Sequence, residues 1–189
     1  EVIRTSADDA IGYIKKTMSG DVMNIKKIRV DKEGAGMGWG AVYAQYLESM
    51  DQISGQGNGL SVSRQLYKGD EALNESAPLK VGDKITVRLT IKADRDMDFV
   101  QIKDDRAACM EPLQAVSGFR WSNGLGYYQA TKDASTQFFI DQMRKGTYVI
   151  EYQVYVNRTG EYQAGIATVQ SAYAPEFGGH TGGYRVMVE

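Results

Sequence analysis

Four places in this 189-residue chain carry residue types that suit catalysis, ion binding or phosphate binding. His180 is the single histidine, and Cys109 the single cysteine. A Ser-His-Asp or Cys-His arrangement would therefore depend on one imidazole, and that imidazole lies between Gly178-Gly179 and Gly182-Gly183. A surface loop is the expected setting. One histidine and one cysteine also leave a zinc site without ligands. Asp94, Asp96 and Asp98 alternate, and Asp105 falls at the twelfth position of a calcium loop. Phe99, however, occupies the sixth position, where the sharp turn needs glycine, and strand-like residues follow it. A charged turn is expected there. Gly34-Ala-Gly36-Met-Gly38-Trp-Gly40 suggests a phosphate loop, but Trp39 stands where a third glycine is required and no Gly-Lys-Ser/Thr follows. No catalytic residue, metal or cofactor follows from these stretches.

Aromatic residues offer a different chemistry. Trp121, Tyr127 and Tyr128 lie beside Gly124 and Gly126, so Trp121 and Tyr127 are candidate surface aromatics on which a sugar or protein partner would stack. The competing expectation is that the same rings fill a core.

The elements that would position these residues are strands. From 147 to 156 the even positions Tyr148, Ile150, Tyr152, Val154 and Val156 are apolar or aromatic, the two-residue repeat of a half-buried strand. Asn157-Arg158-Thr159-Gly160 then supplies turn formers. The cleanest alternation runs over 84–92, with Ile85, Val87, Leu89 and Ile91 on one face and charged or threonine side chains on the other. A leading strand is expected at 60–66, and others at 98–102, 126–131, 136–143, 162–172, with a bulge near Gly165, and 184–188. About seven strands with frequent turn signals describe an all-β, antiparallel, immunoglobulin-like sandwich. Residues 1–56 read as a smaller β segment with strands at 13–18, 22–30 and 37–47, although 41–50 also suits a helix. The polar stretch 54–59, Ser-Gly-Gln-Gly-Asn-Gly, is the expected linker, which places two domains at 1–56 and 57–189.

Composition narrows the partners. Acidic and basic residues nearly cancel at 24 against 22, so no basic surplus invites nucleic acid. No run approaches the roughly 18 apolar residues of a membrane span. With 12 tyrosines, 21 glycines and 3 prolines the chain suits many strands joined by tight turns. It opens at Glu1 without an initiator methionine, and a processed chain or fragment is expected.

Several segments together carry a family resemblance: Trp39-Gly-Ala-Val-Tyr-Ala-Gln-Tyr46-Leu, Gly59-Leu-Ser-Val-Ser-Arg-Gln-Leu-Tyr67, Val81-Gly-Asp-Lys-Ile-Thr-Val-Arg-Leu89, Asp94-Arg-Asp-Met-Asp-Phe-Val100, Asp104-Asp-Arg-Ala-Ala-Cys-Met-Glu-Pro112, Gly124-Leu-Gly-Tyr-Tyr128 and Gln170-Ser-Ala-Tyr-Ala-Pro-Glu176. In this order they resemble the C-terminal end of the bacterial alpha-2-macroglobulin family, especially its long forms in Bacteroides-like bacteria. The resemblance implies a piece of a much longer protease-trapping protein of the cell envelope, in the periplasm or at the cell surface, with a lipoprotein parent in view. Residues 1–56 would be the C-terminal strands of a CUB-like domain and 57–189 the final macroglobulin sandwich. Thioester-bearing members write their reactive bond as Cys-x-Glu-Gln. Cys109-Met110-Glu111-Pro112 departs from this, because Pro112 has no side-chain amide to form the bond. Cys109 is then expected to be a small buried hydrophobe.

In the family, an aromatic residue just before a Pro-Glu pair helps keep water off the thioester. The resemblance places Tyr173 at that position, followed by Ala174-Pro175-Glu176, with Ala172 where relatives can have methionine. The implied role is non-catalytic: a structural and docking module whose partners are the thioester-type domain of the parent and, through the parent, proteases. Tyr173 is the candidate interdomain contact. The alternative is a free-standing cell-surface adhesive or carbohydrate-binding sandwich that works through Trp121 or Tyr127. An enzyme lacks the residues.

Overall fold

A computed structural model describes residues 15–20, 25, 27–43, 45–74 and 77–189. The chain divides into two units, Glu1–Gln45 and Tyr46–Glu189. The second unit is an antiparallel sandwich of fourteen strands among the described residues. They are β1 (Gln56–Asn58), β2 (Leu60–Lys68), β3 (Glu71–Ala72), β4 (Lys84–Ala93), β5 (Met97–Asp105), β6 (Met110–Pro112) and β7 (Gly118–Ser122). Then follow β8 (Leu125–Thr131), β9 (Ser135–Met143), β10 (Gly146–Val156), β11 (Gly160–Ala164), β12 (Ala167–Ser171), β13 (Gly178–His180) and β14 (Tyr184–Val188).

One layer runs β6-β10-β4-β2, with β3 paired to β2, and the other β12-β5-β9-β8-β7. The short strands β1 and β13 join the two layers along one side, so hydrogen bonding passes from layer to layer without a break. Strands β11 and β14 pair separately, and Leu79 makes a parallel bridge to Val188. The alternation expected at 84–92 is realised in β4, whose Ile85, Val87, Leu89 and Ile91 are buried while Lys84 and Lys92 face solvent. β10 presents Ile150, Tyr152, Val154 and Val156 to the same interior, in register with β4 from Gly146 opposite Ala93 to Tyr155 opposite Lys84. Phe138, Ile140, Met143, Val100 and Ile102 close the core from the second layer. Burial of these side chains, at about 25 cal/mol per Å² of apolar surface, is the main force that holds the layers together.

The expected strand at 162–172 is two strands, β11 and β12, broken at Gly165-Ile166. A Cβ on Gly165 would lie 2.4 Å from the Asp105 Cβ, so only glycine permits the approach that breaks the strand. The linker expected at 54–59 is corrected by β1, whose three residues pair with β13. Its glycines serve contact and not flexibility: a Cβ on Gly57 would meet the Leu60 carbonyl oxygen at 2.6 Å, and Gly59 turns the chain with φ +70°.

The strands expected at 13–18, 22–30 and 37–47 are not found among the described residues, and 13, 14, 22–24, 26 and 44 lie outside that set. The helical alternative at 41–50 fares no better; a single 3₁₀ turn spans Met50–Gln52. Trp39 and Tyr43 are 90% and 92% exposed. A strand needs a neighbouring edge for its amides and a facing layer for its apolar side chains, and the described residues of this unit supply neither.

Candidate functional site

Among the described residues, the interior of the sandwich contains one charged constellation. Arg64 on β2, Asp104 on β5 and Tyr152 on β10 share the inward parity of their strands, as do the apolar neighbours Val62, Ile102 and Ile150. Arg64 Nη1 donates to Asp104 Oδ1 at 2.5 Å, and Tyr152 Oη donates to Asp104 Oδ2 at 2.7 Å. Arg64 Nη2 donates to the Gly165 carbonyl at 2.6 Å, and its guanidinium lies 4.6 Å from the Tyr184 ring centroid. Burial pushes the Asp104 carboxyl up from its ordinary value, opposed by the Arg64 charge and the Tyr152 hydrogen bond. Burial, with the Asp104 charge added to it, raises the Tyr152 phenol well above its usual range. Each polar group here faces a partner within the protein, so the arrangement ties three strands together and leaves no group free to attack a substrate.

The sequence-derived site residues are distributed over different parts of the fold. Tyr127 is corrected as a surface aromatic. It is 6% exposed, and its ring meets Phe138 edge to face at 5.7 Å. The cause is strand parity: Leu125, Tyr127 and Gln129 of β8 point inward. Trp121, on the outermost strand β7, is 77% exposed, and a Cβ on Gly126 would lie 2.9 Å from its ring, so the indole lies over that glycine. Phe119, Tyr128 and Phe139 stand in one cross-strand row on the outer face beside it, with Phe119 and Tyr128 in edge contact at 5.1 Å. Phe119 and Phe139 were not foreseen as part of a surface, although two aromatic residues in register on adjacent strands would have revealed them.

Cys109 is fully buried, and burial raises its thiol pKa. His180 is half-buried in β13, with Nδ1 3.0 Å from the Thr181 carbonyl oxygen. Asp94 pairs with Arg95, and Asp96 accepts the Lys145 amide at 2.7 Å, so two of the three alternating aspartates are spent on separate turn contacts.

Tyr173 projects from the loop between β12 and β13 and is 80% exposed. Its ring meets Phe99 edge to face, at 5.1 Å and 83°. Phe99 is itself 49% exposed and has φ +53°, a left-handed conformation in a bulky residue. The Ala172 amide donates to the Phe99 carbonyl at 2.9 Å. The loop is closed by Phe177 donating to Ala174 and by Ser171 donating to Phe177, with Arg95 stacked 4.5 Å from the Phe177 ring centroid. The cluster is an exposed apolar projection on a firmly bonded loop, the form of a contact surface.

Comparison with known proteins gives the same fold. A structure of Salmonella alpha-2-macroglobulin reacted with methylamine superposes with a TM-score of 0.59 at 19% identity, over 71% of this chain and 10% of that one. Escherichia coli alpha-2-macroglobulin activated by porcine elastase superposes with a TM-score of 0.62 at 15% identity, over 72% and 14%. A Dictyostelium discoideum protein, Circularly permutated Ras protein 2, is 28% identical over 138 residues, which is 69% of this chain and 4% of that protein. The chain thus spans a small fraction of the length of the proteins it matches. Residues 59–176, more than half of the chain, match the bacterial alpha-2-macroglobulin MG10 domain family. The match begins at the turn into β2 and ends in the Tyr173 loop, and the chain belongs to the bacterial alpha-2-macroglobulin MG10 family.

Proposed function

We propose that this chain is a non-catalytic structural and docking module of a macroglobulin-like protease inhibitor in the bacterial cell envelope. Its sandwich, 57–189, serves as the final macroglobulin domain, and Tyr173 packs against a thioester-type domain of the parent chain. Residues 1–56 belong to a neighbouring CUB-like domain whose partner strands come from elsewhere in the parent, which accounts for the absence of strand pairing among the described residues ahead of Gln56. The observation that carries the docking role is the 80% exposure of Tyr173 on a loop held by backbone hydrogen bonds. A tyrosine suits an interface that must stay dry, because its ring excludes water while its hydroxyl finds a polar partner. Support for the setting comes from the relatives, one reacted with methylamine and another activated by elastase.

The test uses the full-length parent carrying Tyr173→Ala, exposed to methylamine. Faster inactivation than in the unaltered protein is expected, and an unchanged rate rejects the shielding role. The purified 189-residue chain is expected neither to cleave a protein substrate nor to inhibit trypsin.

The exposed row of Phe119, Tyr128, Phe139 and Trp121 favours a second reading, a carbohydrate-binding face. Binding of the purified chain to a glycan panel that is lost in Trp121→Ala would establish it, and no binding would dismiss it.

A further inference from the structure

We propose that Phe99 is the positioning residue for Tyr173, so that the docking projection is a preformed two-ring unit whose shape is set before any partner arrives. This inference rests on the docking reading of Tyr173 above.

The parity of β5 changes near its start. Val100, Ile102 and Asp104 point into the core, and an unbroken strand would send Asp98 inward and Met97 outward. The burial is the reverse at that end: Met97 is 8% exposed, while Asp98 and Phe99 both face solvent. The switch occurs at Phe99, whose positive φ turns the backbone by one step. β9 makes the same switch beside it, with Ile140 and Met143 buried and Asp141 and Gln142 exposed, and the pairing on both sides keeps register. Glycine is the usual residue for such a backbone, and a ring there has to be accounted for.

Phe99 faces outward by the parity of Val100, and its ring lies against Tyr173. Phe99 also meets the Tyr173 loop through its backbone, since its carbonyl accepts the Ala172 amide directly after the last β5–β12 pair, Val100 opposite Ser171. Two constraints, one on the loop and one on the ring, therefore come from the same residue. An 80% exposed tyrosine with no neighbour would sample several rotamers and lose that freedom on docking. Edge-to-face contact with Phe99 restricts it beforehand, which lowers the entropic cost of association.

The experiment separates a positioning role from a purely structural one through Phe99→Gly, which retains the left-handed backbone and removes the ring. In the 189-residue chain, the Tyr173 ring proton resonances are expected to be displaced by the neighbouring ring. They should return to free-tyrosine positions in Phe99→Gly, with the melting temperature unchanged or raised. Resonances at free-tyrosine positions in the unaltered chain, or unmoved by Phe99→Gly, overturn the inference. In the full-length parent, Phe99→Gly and Tyr173→Ala are both expected to speed methylamine inactivation several-fold. Acceleration by Tyr173→Ala alone rejects the role of Phe99 and leaves the docking reading standing. Acceleration by neither rejects the docking reading, and the resonance measurement then decides the positioning role by itself.

Discussion

Arg64 reaches across the interior of the sandwich to Asp104 at 2.5 Å, and the two side chains are only 5% and 1% exposed. Taking both charges out of water is costly, and their attraction, the Tyr152 hydroxyl and the Gly165 carbonyl offset that cost. Asp104→Ala leaves the guanidinium buried without its counter-charge and is expected to destabilise the fold by about 3–5 kcal/mol. Exchanging Arg64, Asp104 and Tyr152 together for Met, Leu and Phe is expected to recover most of that loss. Urea unfolding of the three proteins measures both effects, and a cost below about 1 kcal/mol for Asp104→Ala contradicts the account.

Tyr127 and Trp121 lie one rung apart and behave oppositely. Tyr127→Ala opens a cavity against Phe138 and is expected to cost about 3–5 kcal/mol. Trp121→Ala removes an indole lying over Gly126 on an outer strand, at a cost of about 1 kcal/mol or less. Chemical denaturation of the two variants side by side checks the order.

Gly179 lies where β1, β2 and β13 come together. A Cβ added there would sit 2.7 Å from the carbonyl oxygens of both Gln56 and Leu60, atoms of backbone that cannot swing aside. Gly179→Ala is expected to cost about 1–3 kcal/mol, read as a lowered melting temperature. An unchanged melting temperature would mean that the two layers are not joined as closely as described.

Asp83 turns the chain into β4. The hydrogen bond from Lys68 lowers its carboxyl below the usual 3.8, against an opposing contribution of burial, and the Lys80 amide adds to the lowering. A depressed folded pKa favours the ionised form in the fold. Its contribution to stability is therefore full above the unfolded value and lost as pH falls through the lower folded value. The melting temperatures of the unaltered chain and Asp83→Asn are expected to differ at neutral pH and to converge by about pH 2. A gap that persists in acid would assign the effect to something other than ionisation.

Strand periodicity made the centre of the fold legible. The 84–92 alternation matches β4 within one residue, and 184–188 coincides with β14. Short strands escaped notice because three residues carry no period: β1, β6 and β13 are defined by the neighbours they pair with and not by their own side chains. Residues 37–47 looked strand-like from Trp39, Val42 and Tyr43, yet propensity without a pairing edge forms no ladder among the described residues of that stretch. The Arg64–Asp104 pair was within reach of the sequence, since both residues carry the inward parity of apolar neighbours, but nothing in a one-dimensional pattern says that two inward charges meet. Tyr173 was singled out by family resemblance alone, and the structure adds its exposure and its contact with Phe99. Phe99 was not, because a left-handed ring residue has no sequence signature.

The side on which β1 and β13 unite the two layers has a mechanical consequence. The chain is held to the sandwich at Asp51, which pairs with Arg185, at Ile53, whose carbonyl accepts the Gly183 amide, and through three rungs with Gly178–His180, and those rungs continue on one side into β2 and on the other into β12. Tension applied there loads the rungs in shear, all at once, and spreads into both sheets, whereas a strand at a free margin would peel bond by bond. A load on Gln56 is thus shared between the two layers of the sandwich.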